Sequence, residues 1–491
     1  MNFNYLVNAF RILGLLLMPF SATMLPPILV AWWYDENTVF EFMLATIVTL
    51  CLGIAFWFPF RKIHQEMQAR EAFLIVTLLW VALSLTGAFP FFLMLNPELS
   101  YVDALFETIS GLTTTGATVF NHLDTIPRSI LYYRQQLQFI GGGGVIVLSI
   151  AILPILGIGG MQLFRAEMAS PFKEDKLTPR ITQTAKTLWF IYVGLVVLCA
   201  GAYWAGGMTF FDAICYSFST ISTGGFGTHD HNFAYFQSSL LELICVFFMV
   251  AGGINFSLHF AALRRKSLYY YWQDSETKTF LTILFWAFLL LSATLLYYQT
   301  FSHAGTDLLQ SLFHTASFLT TTGFTGVYTT GPEFYHWPTF TPFLLIFLAM
   351  IGGCAGSTAG GIKMIRLLIL RKQGTREINR LIHPNGHYVI KLGLSRLHDR
   401  TLEAILGFFC LFVVTFIVLF LVLLGLGADY LSAFSAIAAS ISNTGLRFAA
   451  SPDYFQDFNT PCKMVICLSM LAGRLELFTI LLLLSPRYWR Y

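Results

Sequence analysis

The chain has 491 residues, 56% of them hydrophobic and only 11% charged, whereas a soluble domain carries about 25% charged residues. Its mean hydropathy is +0.67, and apolar runs of roughly 20 residues, each long enough to cross a bilayer, recur from end to end. A soluble globular class is excluded, and the expected class is an all-α polytopic membrane protein set in membrane lipid, with no nucleic-acid partner.

The first apolar run, Leu6–Trp33, exceeds a signal-peptide core of about 7–15 residues and reads as a retained helix. A second follows at Val39–Phe60, and these two helices make up residues 1–70. Four similar units follow, over residues 71–183, 184–278, 279–400 and 401–491. The first pairs helices at Glu71–Leu95 and Tyr132–Leu156, the second at Thr187–Ala205 and Tyr235–Leu263. The third pairs Thr279–Phe301 with Thr341–Leu370, and the fourth Leu402–Leu426 with Pro461–Leu484. The pattern predicts ten spans, with glycine, threonine and proline breaking the second helices of the units.

Between the two helices of every unit lies a short segment opening at Asp103, Asp212, Asp307 or Asp429. Aspartate is a favoured helix N-cap, so each segment reads as a half-helix that enters the membrane and stops. Each ends in a hydroxyl- and glycine-rich cluster: "TTTGAT" at 113–118, "STGGFG" at 222–227, "TTTGFT" at 320–325 and "SNTGLR" at 442–447. Gly116 lies thirteen positions after Asp103, and Gly225 thirteen after Asp212. Gly225 rather than Gly224 is therefore the equivalent residue. Gly323 and Gly445 lie sixteen positions after their aspartates, which predicts that the last two half-helices are a turn longer.

Non-helical backbone survives at membrane depth only where it lines a protein-enclosed or watery cavity. Four such strands around one axis would point their carbonyls inward, where they could replace the water shell of a dehydrated cation. Glycine reaches dihedrals closed to other residues and keeps side chains out of the way. The competing reading is that Ser/Thr/Gly clusters let helices approach one another; fourfold recurrence after four half-helices favours the pore.

The net charge of +3 says little, but its distribution sets a topology. Basic loops at Arg61–Arg70, Arg165–Lys186, Arg264–Lys278 and Arg371–Arg400 should stay cytoplasmic, with both termini inside. The eight cysteines have no metal or disulfide spacing and read as buried small hydrophobes. "GGGGVIV" at 141–147 lacks a phosphate-loop ending and reads as helix packing; "HDH" at 229–231 could bind metal but reads rather as a polar mouth loop. "GGCAGSTAGGIK" at 352–363 is too glycine-rich for a plain helix and reads as a plug or a packing kink. Arg474 and Glu476 lie in the last apolar run, where charge is expensive. Two positions apart they do not face each other on a helix, so each requires another partner. No carboxylate pair or nucleophile–base set points to an enzyme.

These motifs together resemble the Trk/Ktr/HKT potassium transporters, specifically the bacterial Trk-type membrane subunit, over nearly the whole chain. The resemblance rests on "TTTGAT", "GGFGTHD" at 224–230 and "TTTGFT", on residues 164–189, on "GGCAGSTAGGIKMIRL" at 352–367 and on "GRLELFT" at 473–479. It implies potassium uptake across the bacterial inner membrane through four pseudo-symmetric helix–pore-loop–helix repeats around one pore. It also implies a homodimer and a cytoplasmic nucleotide-binding regulatory subunit. On matching positions, carbonyls of Thr114, Thr115, Thr223, Gly224, Thr321, Thr322, Asn443 and Thr444 would coordinate potassium, with Gly116, Gly225, Gly323 and Gly445 completing the filter. Gly352, Gly353, Gly356, Gly360, Gly361, Lys363 and Arg474 would form a gate, Arg474 projecting into the pore. A glycine at 116 goes with potassium in that family, serine with sodium. The chain departs from the family at Leu446-Arg447-Phe448-Ala449, where relatives continue Pro-Gly-x-Gly. The alternative class is a proton- or sodium-coupled alternating-access carrier. Carriers commonly show inverted repeats, whereas four units that each begin and end inside are parallel.

Overall fold

The computed structural model describes residues 3–62, 69–94, 99–151, 181–301, 303–326, 337–392, 395–446 and 455–490. The chain opens with α1 (Phe3–Ala22), α2 (Leu25–Trp33) and α3 (Val39–Trp57). The first apolar run is thus two helices, restarted by prolines in the first turn of α2, where their missing N–H groups cost nothing. Gly14 lets α1 and α3 touch backbone to backbone: a Cβ there would lie 2.5 Å from the Gly53 carbonyl oxygen.

The first unit contains α4 (Ala69–Gly87), α5 (Phe89–Met94), the pore helix α6 (Tyr101–Leu112) and α7 (Arg128–Ala151). The second has α8 (Ile181–Ala205), the pore helix α9 (Phe210–Ile221), α10 (Ser239–Gly253) and α11 (Phe256–Arg265). After α12 (Tyr269–Gln273), the third has α13 (Ser275–Tyr298), the pore helix α14 (Ala304–Leu319), α15 (Phe340–Ile351) and α16 (Met364–Ile382). A two-residue hairpin, β1 (Lys391–Leu392) and β2 (Ser395–Arg396), leads to the fourth. It has α17 (Asp399–Gly425), the pore helix α18 (Tyr430–Ile441), α19 (Thr460–Arg474) and α20 (Leu477–Leu484), with α21 (Pro486–Arg490) after it.

The pore helices start differently from the sequence expectation. Only Asp429 is an N-cap, accepting from the amides of Leu431 and Ser432. In α6 and α9 the caps are Ser100 and Thr209, and Asp103 and Asp212 sit three residues inside, their amides donating to the cap hydroxyls. Each hydroxyl donates in turn to the aspartate, at 2.6 Å in both cases. This resembles a capping box, except that the carboxylate accepts from the cap hydroxyl, and a carboxylate in the first turn is stabilised by the helix dipole without capping it. In α14 the cap is His303, and Asp307 accepts from the Phe301 amide at 3.3 Å. Counted from the caps, three pore helices have 12 residues and only α14 has 16. The fourth is not longer.

The second helices break as expected in three units. α10 and α11 meet at 99°, α19 and α20 at 117°, and α15 and α16 are separated by the chain from 352 to 363. In the first unit α7 runs unbroken across Gly141–Gly144. Gly141 has no room for a side chain, since its Cβ would lie 1.9 Å from the Leu112 carbonyl oxygen, and one on Gly142 would lie 2.8 Å from Ser222 and Tyr192, whereas Gly144 faces open space. The first and fourth units share one core, with Phe106 against Phe455 at 5.5 Å. There Lys463 reaches Asp103 at 2.6 Å, and the Phe455 amide donates to the Thr118 carbonyl at 2.9 Å. Of the cysteines, six are buried, but Cys51 and Cys410 are exposed on helices α3 and α17, outward-facing positions where a small apolar residue meets hydrocarbon instead of core.

At the pore-helix entry side, the loops after the first two clusters are locked together. His229 stacks on Tyr235 at 3.5 Å between ring centroids. Its Nδ1 lies 2.6 Å from Asp124 and its Nε2 3.4 Å from Asp212, while Asp230 accepts from the Leu123 amide at 2.6 Å. "HDH" is thus a polar clamp, and no cluster of three metal-ligating side chains occurs among the described residues. Burial opposes the charged ring, but hydrogen bonds and attraction to Asp212 and Asp124 hold the His229 pKa above its ordinary value. The stabilisation is therefore complete below about pH 6.5 and is lost as pH rises through the raised value. His229→Gln should flatten the fall of the thermal midpoint between about pH 6 and pH 9, measured by unfolding of the detergent-solubilised protein. Equal slopes in the parent and variant would exclude the clamp as the source.

Candidate functional site

Each pore helix ends in a strand whose amides turn back onto the helix it has just left. The amides of Thr115, Gly224, Thr322 and Thr444 donate to the carbonyls of Ser110, Ser219, Ser317 and Ala439 at 2.7–2.8 Å. One residue earlier, Thr114, Thr223, Thr321 and Asn443 all have positive φ, between 52° and 55°. For a non-glycine residue this left-handed conformation costs about 1–2 kcal/mol. It recurs at the same position in all four strands, held by the returning amides. Gly116, Gly225, Gly323 and Gly445 follow with φ of 77–83°. The spacing argument for Gly225 over Gly224 agrees with this register.

The four strands form a closed ring. A Cβ on Gly116 would lie 2.1 Å from the Gly224 carbonyl oxygen, and one on Gly225 would lie 2.0 Å from that of Thr322. From Gly323 the distance is 1.9 Å to the Thr444 carbonyl oxygen, and from Gly445 it is 2.2 Å to that of Thr115. Each glycine thus faces a carbonyl of the next repeat, and the fourth repeat returns to the first. Among the described residues, the carbonyls of Thr114, Thr115, Thr223, Thr321, Thr322, Asn443 and Thr444 accept no hydrogen bond. The Gly224 carbonyl accepts one, from Gln138 Nε2 at 2.7 Å.

Behind the ring, hydroxyls pair within strands: Thr113 with Thr115 at 2.7 Å, Thr320 with Thr322 at 2.8 Å and Ser442 with Thr444 at 3.2 Å. Asn443 Nδ2 donates to Thr115 Oγ1 at 3.0 Å and to the Met470 carbonyl at 2.9 Å, joining the last strand to the first. Next to the first strand, Arg134 Nε lies 2.7 Å from Glu107 Oε1, both fully buried. Its guanidinium also donates to the Gly227 carbonyl and to Thr118 Oγ1, each at 3.1 Å. Removing one partner would leave a buried charge uncompensated, at about 3–5 kcal/mol; with both present, the guanidinium links the chain after the first cluster to that after the second through Thr118 and Gly227.

The chain from 352 to 363 lies against the inner ends of these strands. The Gly360 amide donates to Thr321 Oγ1 at 2.7 Å, Thr223 Oγ1 donates to Thr358 Oγ1 at 3.3 Å, and a Cβ on Gly360 would lie 2.1 Å from the Ser442 carbonyl oxygen. Gly352, Gly356 and Gly361 have φ of 69–76°. Gly352 packs on the Gly360 carbonyl, Gly353 on Ala359 and the Gly253 carbonyl, and Gly356 on Asn255. Lys363 Nζ donates to the Ala359 carbonyl, which ties the end of the loop to its own middle. Glu276 Oε1 accepts from the amides of Ala355 and Ile365, fixing both ends.

Arg474 Nη1 donates to the Thr358 carbonyl at 2.8 Å, and Nη2 to the Gly141 carbonyl at 3.5 Å. Placing arginine at membrane depth costs about 2.5–3.5 kcal/mol, and hydrogen bonds from a charged donor contribute roughly 1.5–3 kcal/mol each, so the loop can hold it. Glu476 turns elsewhere, to Arg366 Nη2 at 2.9 Å, and Arg366 lies over the Phe408 ring at 4.0 Å. The two charges in the last run therefore have different partners, and the helix breaks between them rather than carrying both on one face. Sequence reasoning missed Thr358, Glu276, Gln138 and the Glu107–Arg134 pair. "RQQLQ" at 134–138 was the available signal, a run of polar residues inside an apolar span. Arg447, Phe448 and Ala449, and most of the 164–189 stretch, lie outside the described residues.

Comparison with known proteins agrees with this architecture. The TrkH family model, described as a cation transport protein, matches residues 38–491. The chain is 49% identical over 482 residues to the Trk system potassium uptake protein TrkH of Vibrio parahaemolyticus, covering 98% of each chain. It is 47% identical over 480 residues to TrkH of Escherichia coli K12, again 98% of each, and 38% identical over 490 residues to TrkG of that organism, covering 100% of each. The crystal structure of the potassium transporter TrkH from Vibrio parahaemolyticus matches with a TM-score of 0.91 at 46% identity, covering 100% of both chains. The chain belongs to the TrkH family of cation transport proteins, multi-pass membrane transporters rather than enzymes.

Proposed function

We propose that this protein takes up potassium across the bacterial inner membrane through a filter made by the four strands. The observation that carries this reading is the closed ring of glycine–carbonyl contacts from Gly116 round to Gly445. Carbonyls of Thr114, Thr115, Thr223, Gly224, Thr321, Thr322, Asn443 and Thr444 replace the ion's hydration shell. The C-terminal ends of the four pore helices add negative potential there. The names of the relatives, as potassium uptake proteins, support the choice of ion.

The loop from Gly352 to Lys363, with Arg474, acts as the gate. It touches three of the four strands at their inner ends, and its glycines hold conformations open to few other residues. A cytoplasmic nucleotide-binding regulatory subunit biases it through α16 and the basic segment up to Arg400, on the side of both termini. Part of that segment's charge is used within the chain, by Arg376 with Asp399 at 3.2 Å and Arg380 with Glu377 at 3.0 Å.

Gly116→Ser should cut potassium-over-sodium discrimination about tenfold, because strain of about 1–3 kcal/mol at the positive φ and the clash with the Gly224 carbonyl displace a ligand. The reversal potential of the reconstituted protein in opposed potassium and sodium gradients measures it, and an unchanged value would remove Gly116 from the filter. Arg474→Ala should raise potassium flux severalfold with the potassium-to-sodium ratio kept, since it frees the loop and leaves the strands alone. Rubidium uptake into vesicles reads this, and flux no higher than the parent's in a folded variant would reduce the loop to a packing kink.

A further inference from the structure

We propose that Gln138 is the positioning residue of the second filter strand, its amide standing where the other three strands carry a hydroxyl. This rests on the filter reading above. Thr115, Thr322 and Thr444 each brace their strand through the hydroxyl two residues earlier. The equivalent residue of the second strand is Gly224, which has no side chain to do so. The fully buried Gln138 occupies that space. Its Oε1 accepts from Ser219 Oγ at 2.7 Å and from the Phe226 amide at 3.3 Å, while its Nε2 donates to the Gly224 carbonyl at 2.7 Å.

The two side chains would compete for one space. A Cβ on Gly224 would lie 2.4 Å from Gln138 Cδ, well inside contact distance, so threonine at 224 would push the Gln138 amide out of its present place. The same face of α7 continues along the strand, with Gln135 Nε2 on the Phe226 carbonyl at 2.9 Å and Arg134 on that of Gly227 at 3.1 Å. A helix of the first repeat therefore sets the backbone of the second strand. The Gly224 carbonyl, tethered by an amide, cannot move inward around a smaller ion. The tether thus opposes sodium more than potassium.

Gln138→Met keeps the volume and removes both hydrogen-bonding atoms. It should lower the potassium-to-sodium permeability ratio about fivefold, the size of one lost hydrogen bond. Gly224→Thr alone should lower it as well, by collision with Gln138. The double variant Gln138→Ala/Gly224→Thr should return to within about twofold of the parent, because the new hydroxyl meets Ser222 as its counterparts meet Thr113, Thr320 and Ser442. A ratio does not depend on how much protein is inserted, and Gly323→Ser serves as the control for the filter itself. A parental ratio in Gln138→Met, with a lowered one in the control, overturns the assignment and leaves the filter standing. Parental ratios in both overturn the filter reading and this one with it. A double variant no better than the worse single variant shows that Gln138 only fills space. Should Gln138→Met fail to insert, the double variant decides alone, recovery supporting the role and a lasting deficit overturning it.

Discussion

Everything in this structure follows from one constraint: backbone carbonyls without hydrogen-bond donors can sit at membrane depth only if protein encloses them. Four strands end in such carbonyls, and each is stabilised by the same two devices. The amides fold back onto the parent pore helix, and a left-handed residue followed by a positive-φ glycine turns the carbonyls away from it. The strain of four left-handed residues, on the order of 4–8 kcal/mol in all, is set against returning amides of about 1 kcal/mol each and the packing of four buried helices.

The pore-helix segments, the glycine register and the interruption near residue 352 were legible in the sequence because they are local and repeated. Backbone chemistry at a fixed offset leaves its mark in residue type. What was misread was also local. Aspartate favours the N-cap and the first turn alike, so residue type does not separate Asp103 and Asp212 from the caps that Ser100 and Thr209 provide. The apparent extra turn in α18 followed from that ambiguity, since Asp429 is a cap and its counterparts are not.

What remained hidden depends on partners distant in the chain. Glu276 holds a loop about 80 residues away, and nothing around "DSETK" at 274–278 indicates it. Arg366 and Glu476 pair across 110 positions. Arg474 and Glu476 lie on either side of a sharp break that the apolar run gave no sign of. The four repeats are also less alike than their motifs. Among the described residues three second helices are broken and that of the first unit is not, and one strand is braced by a neighbour's side chain instead of its own hydroxyl.

The contact of Gly445 with the Thr115 carbonyl has a consequence for biosynthesis. More than three hundred residues separate the two, and at roughly 5–20 residues per second the ribosome needs tens of seconds to traverse them. Throughout that interval the first strand lacks the neighbour that closes it. Its free carbonyls, and those of each strand added after it, wait in an unfinished enclosure. The ring is therefore completed by the final repeat in a single late event. A nascent chain halted in the fourth unit holds most of the helices but a ring still open between its first strand and its last.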